Sequence, residues 1–95
     1  MECSGVRFTR HAFERLFERA IHPDVVRRIV EEGEVIASYP DDLPFPSVLI
    51  LGFEGGRPLH LVVARDPQSG LCFVVTVYAP DPNLWSDDFR TRRRT

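Results

Sequence analysis

Two stretches decide the fold: Arg57-Pro58-Leu59-His60-Leu61-Val62-Val63-Ala64 and Cys72-Phe73-Val74-Val75-Thr76-Val77-Tyr78-Ala79-Pro80. Both are rich in β-branched and aromatic residues. Turn formers bound them, Glu54-Gly55-Gly56 before the first and Asp66-Pro67-Gln68-Ser69-Gly70 between the two, so the pattern predicts a β-hairpin. Side chains alternate across a strand. On the first strand Leu59, Leu61 and Val63 share one face, and His60, Val62 and Ala64 the other. On the second, strict alternation gives Phe73, Val75 and Val77 to the apolar face and Cys72, Val74, Thr76 and Tyr78 to a mixed one. The apolar face requires cover. The mixed face holds His60, Thr76 and Tyr78, and it is where a site is expected.

Outward from this hairpin, Ser47 to Phe53 reads as a third strand and Glu34 to Tyr39 as a fourth. The loop Pro40 to Pro46 separates them, because three prolines in seven residues exclude a central strand. Thr9 predicts the N-cap of a helix from Arg10 to Ala20, with Ala12, Phe13, Leu16, Phe17 and Ala20 on one side at helical spacing. His11, Arg15 and Arg19, four apart, form a polar stripe. Ile21-His22-Pro23-Asp24 breaks and restarts the helix, with Pro23 at its first position and Asp24 complementing the helix dipole. Val25, Val26, Ile29 and Val30 form the second buried stripe, and Gly33 caps its end. Leu84-Trp85 and Phe89 are expected to dock back on the body.

The predicted class is α+β: an N-terminal helical hairpin packed on one face of a four-stranded antiparallel sheet, in the order α-α-β-β-β-β. Ninety-five residues fit a single domain over 1–95, with 1–7 and 90–95 flexible. Burying about six large apolar side chains under the helices is worth on the order of 10 kcal/mol gross, enough to fix which face points inward.

A hydrophobic content of 43% argues against disorder. No apolar run reaches membrane-spanning length, and no signal-peptide layout is visible, so the expectation is a soluble cytoplasmic protein without a membrane partner. Cys3 and Cys72 are too few for a disulfide framework and are expected to be two free thiols. All 12 basic residues are arginine. Their distribution is uneven: six Arg against four acids in residues 1–30, six acids and no base in 31–54, and four Arg in 90–95. Arginine suits phosphate, since its planar fork makes bidentate contacts and stays charged; a GC-rich codon bias equally explains the missing lysines.

Thr9-Arg10-His11-Ala12 with Arg15 and Arg19, the Gly33 turn into a strand ending at Tyr39, Gly56-Arg57-Pro58-Leu59-His60, and Thr76-Val77-Tyr78-Ala79-Pro80-Asp81 with Trp85 downstream together resemble domain-of-unknown-function family 4258. The resemblance covers nearly the whole chain. That family is grouped with the fold of RelE-like toxins, barnase and colicin ribonucleases. The grouping implies two helices on a four-stranded antiparallel sheet. It also implies a type II toxin-like role: cleavage of messenger RNA, on the ribosome or free, with a cognate antitoxin as protein partner.

Metal-independent RNA cleavage needs a base for the ribose 2′-OH, an acid for the leaving oxygen and cations for the phosphorane. His60 is the first candidate as base or acid, against a structural histidine bonded to Tyr78 or to backbone. His11 is the second, against plain solvation, and Tyr78 the third, as proton donor or stacking ring. Substrate binding falls to Arg15, Arg19, Arg57, Thr76, Arg90 and Arg92. Against this, Arg15–Glu18 pairing explains ordinary surface charge, and Arg57 points away from the His60 face. No Walker motif, dinucleotide fingerprint or paired zinc spacing is present, so no metal and no cofactor are expected. The alternative function is a non-catalytic RNA- or protein-binding module of the same fold, or a structural partner in a complex.

Overall fold

The computed structural model describes residues 1–94; Thr95, the last residue of the expected arginine tail, lies outside the described residues. The elements run β1 (Gly5–Phe8), α1 (Arg10–Glu18), α2 (Pro23–Glu32), β2 (Glu34–Tyr39), β3 (Ser47–Glu54), β4 (Arg57–Arg65) and β5 (Leu71–Tyr78). They form one five-stranded sheet in the order β1-β5-β4-β3-β2. β2 through β5 are antiparallel neighbours, as the hairpin pattern predicts.

The expected four-stranded antiparallel sheet needs correction, and residues 1–7, expected outside regular structure, supply most of a further strand. Gly5–Phe8 is a strand, pairing parallel to β5 from Gly5↔Leu71 to Phe8↔Val74, so the sheet is mixed and the chain begins with β rather than α. Four residues are too few for alternation to register, although Val6 and Phe8 do lie two apart and pack against the core. Thr9 then turns the chain from β1 directly into α1. Its backbone N–H donates to the Val74 carbonyl, its hydroxyl donates to the Val75 carbonyl, and the same oxygen accepts from Ala12 N–H as the N-cap.

Both helices cover the face of Leu59, Leu61 and Val63, all fully buried. α1 contributes Ala12 and Leu16, and α2 contributes Val26, Ile29 and Val30. On β5 the expected faces are half wrong. Cys72 and Val74 are buried in this core, whereas Phe73 lies opposite, stacked on Phe45 at 5.8 Å, and Val75 is exposed. The cause is a β-bulge: Val62 pairs with Thr76 but Val63 pairs with Val74, so Val75 is the extra residue. One inserted residue reverses the alternation on one side of it.

Two glycines admit the helices to the sheet. A Cβ on Gly33, the C-cap of α2, would stand 2.5 Å from both the Ile29 carbonyl oxygen and Ile50 Cγ2. Its φ of −68° shows that space rather than left-handed backbone selects glycine there. A Cβ on Gly52 would enter the Ile29 side chain. The predicted apolar side of α1 is likewise too wide. Phe13 and Phe17 are 55% and 87% exposed, because only the narrow Ala12–Leu16 line faces the sheet. The helix also stops earlier than expected, with Arg19 as C-cap and Ala20 at φ 52°. No helix among the described residues is long and apolar enough to cross a membrane.

Cys3 and Cys72 are not free thiols. They form a disulfide across 69 positions, with Cα atoms 5.6 Å apart. β1 brings Cys3 alongside the start of β5, and without β1 the pairing has no visible basis in the sequence.

Candidate functional site

His60 sits mid-strand on the sheet face turned away from the helices, as alternation predicts, but that face is not open. Residues after Tyr78 fold back over it. Trp85 meets the His60 ring edge-on at 4.4 Å, and His60 is fully buried. Both ring nitrogens are engaged. Nε2 lies 2.9 Å from the Phe89 carbonyl oxygen and Nδ1 lies 3.1 Å from the Tyr78 hydroxyl. A carbonyl only accepts, so Nε2 carries the proton and Nδ1 accepts from Tyr78. Burial pushes the His60 pKa down, opposed by the hydrogen bond to Phe89, and burial pushes the Tyr78 hydroxyl up. The pair is a neutral, satisfied hydrogen-bonded unit that pins the C-terminal segment.

Arginines of the expected free tail make specific contacts in the same segment. The Arg90 Nε lies within 2.9 Å of both Glu34 carboxylate oxygens, and this pair holds the Glu34 carboxyl below the usual carboxylate range. Arg93 pairs with Asp87 at 2.8 Å, and its backbone N–H donates to the Leu84 carbonyl. Arg92 forms a backbone bridge to Trp85, and its charge acts on Tyr78.

A second constellation lies on the flank of α1. The His11 Nε2 is 3.1 Å from the Thr76 hydroxyl on β5. Arg15 and Arg19 follow at four-residue spacing, and the Arg57 guanidinium reaches the Arg19 carbonyl at 3.5 Å. Thr76, His11, Arg15, Arg19 and Arg57 therefore make one row, from the middle of β5 along α1 to the β3–β4 turn. Arg15 also pairs with Glu18 at 2.6 Å, both partly exposed. Neither Arg19 nor Arg57 has a carboxylate partner among the described residues. Arg57 reaches the helix side, as its strand position predicts.

Sheet order turns part of the charge segregation of the sequence into separation in space. β5 and α1 lie toward one edge, while Glu34 and the Asp41–Asp42 loop lie toward the opposite edge with β2. The separation is partial: Glu14 and Glu18 pair with arginines on α1, Arg28 reaches the Phe53 carbonyl on β3, Arg90 sits on Glu34, and Glu54 faces Arg57 across its turn. His60 and His11 thus belong to different constellations, linked only through Thr76 and Tyr78, two apart on β5. No three His, Cys, Asp or Glu side chains converge as a metal site among the described residues.

Residues 8–79 match the family model described as domain of unknown function DUF4258. The chain belongs to that family. The match takes in Thr9, all five residues of the α1 row, His60 and Tyr78, but neither Cys3 nor Trp85. No curated protein and no solved structure matches the chain. The residues that sequence reasoning missed are Cys3 with its partner Cys72, and Glu34, which occupies Arg90. An acidic residue at a strand start, just after Glu31 and Glu32, was the only local signal for the latter.

Proposed function

We propose that this domain is a nucleic-acid-binding module that grips the phosphates of RNA along the Thr76–His11–Arg15–Arg19–Arg57 row, without catalysis at His60. The observation that carries this reading is the row itself: His11, Arg15 and Arg19 along the flank of α1, continued by Arg57 at the start of β4, with Arg19 and Arg57 free of acidic partners among the described residues. The Arg15–Glu18 pair is exposed at the surface, where such a pair contributes little, so phosphate can displace Glu18 at small cost. His60 supports the same reading from the other side. A base must reach the proton it removes, and the His60 nitrogens are buried and occupied.

One observation favours a second reading, a RelE-like, toxin-type ribonuclease with an antitoxin partner. His11 is exposed, hydrogen-bonded to a hydroxyl and adjacent to the phosphate-gripping arginines, which is where a base for a 2′-OH would stand. The two readings separate on one substrate. Wild-type protein is incubated with a labelled single-stranded RNA, and both binding and cleavage are followed. Binding with intact RNA, lost on Arg19→Ala and Arg57→Ala, supports the module. Cleavage abolished by His11→Ala and retained by His60→Gln transfers the assignment to the ribonuclease, and absence of any binding removes both.

A further inference from the structure

The Cys3–Cys72 pair lies outside the phosphate row and outside the His60 cluster. We propose that it is a reversible thiol–disulfide modification site, opened and closed by low-molecular-weight thiols, which latches β1 onto β5. Three observations carry this. Access is one-sided: Cys72 is fully buried, whereas Cys3 is half-buried and lines an open cleft with Glu2, Ser4, Arg65, Gln68 and Ser69. The cleft at Cys3 is the side from which a small thiol would approach the bond, since Cys72 is closed off by the core. Polar backbone also surrounds the bond. The nearest acceptors to the two sulfurs are backbone carbonyl oxygens, those of Glu2 and Gly70 at 3.8 Å from the Cys72 sulfur and that of Met1 at 4.0 Å from the Cys3 sulfur. Finally, what the bond holds is one short edge strand. Beyond it, β1 is tied by a four-residue ladder, by Val6 and Phe8 packing on the core, by Thr9 bonded to the Val74 and Val75 carbonyls, by Ser4 N–H and Ser4 Oγ donating to the Gly70 and Ser69 carbonyls at 2.9 Å, and by Arg65 donating to the Glu2 carbonyl.

The chemistry is ordinary exchange. A thiolate RS⁻ attacks the Cys3 Sγ. The protein S–S bond breaks, its electron pair leaves on the Cys72 Sγ, and that sulfur takes up a proton beside the Gly70 carbonyl. Cys3 is left in a mixed disulfide with R. A second RS⁻ attacks the R sulfur, releasing RSSR and the Cys3 thiolate, which takes the second proton. Two small thiols are oxidised as one protein disulfide is reduced, and RSSR drives the reverse.

The full chain is equilibrated in glutathione buffers of graded redox ratio without denaturant, alkylated and weighed intact, and amide exchange is followed in parallel. The proposal expects both thiols to appear together and a glutathione adduct to trap on Cys3 in Cys72→Ala. It also expects Gly5–Phe8 amides to exchange on the order of tenfold faster while α2, β3 and β4 stay protected. Cys3→Ser should reproduce that exchange pattern in oxidising buffer. A bond that glutathione opens only after denaturant is added, reduction that unfolds the whole sheet, or unchanged β1 exchange would each overturn the latch.

Discussion

A buried histidine with both nitrogens bonded is a structural part, and its removal has a definite cost. His60→Ala opens a cavity against Trp85 and strands the Tyr78 hydroxyl and the Phe89 carbonyl. The expected loss is about 2–4 kcal/mol of unfolding free energy, read from urea titration. The same burial sets a pH dependence. The folded-state pKa lies below the ordinary value of 6.5, so the unfolded chain binds the proton more readily. This contribution is complete above pH 6.5 and is lost as pH falls through the depressed folded value. Melting temperatures from pH 8 to pH 5 should therefore fall more steeply for wild type than for His60→Gln; parallel curves would contradict the assignment. Ala20 offers the opposite case. It ends α1 at φ 52°, with Ile21 N–H bonded to the Leu16 carbonyl, a position where glycine escapes the Cβ penalty. Ala20→Gly should stabilise the chain by about 0.5–1 kcal/mol.

At the scale of elements, periodicity located both helices and four of the five strands, because runs of six or more residues carry enough repeats to be read. What it could not locate were features without a repeat. β1 is four residues long, and the Val75 bulge is a single residue with an ordinary strand composition. The bulge explains why Phe73 was expected in the core and is found on Phe45 instead. Likewise, a helical stripe gives the side of α1 but not its width, so Phe13 and Phe17 were assigned to a core that Ala12 and Leu16 fill alone. The helix–sheet contact makes a sharper prediction. Gly52→Ala forces a methyl into Ile29 and should cost about 1–3 kcal/mol. Ile29→Ala removes all three carbons that the new methyl meets, so its own cost should be smaller in the Gly52→Ala background than in wild type, a coupling that a double-mutant cycle measures.

Across the whole molecule, the sheet order decides what the sequence pattern left open. Segregated charge was legible in the sequence, and so were the individual members of the α1 row. That His11, Arg15 and Arg19 meet Thr76 and Arg57 was not, because the meeting depends on β1 setting α1 against the edge of β5. The converse holds for Arg90, which composition marked as free and which Glu34 occupies. The central claim is that this row binds RNA phosphate, and salt-dependent affinity tests it most directly. Binding of a short single-stranded RNA is measured by fluorescence anisotropy across a series of salt concentrations, for wild type and for Arg15→Ala/Arg19→Ala/Arg57→Ala. Each phosphate contact on a single strand contributes a slope of about −0.7 in log affinity against log salt. The prediction is that wild-type affinity falls steeply with salt and that the triple variant binds more weakly with a slope shallower by about 2. Equal slopes for the two proteins, or no wild-type binding at low salt, would contradict it.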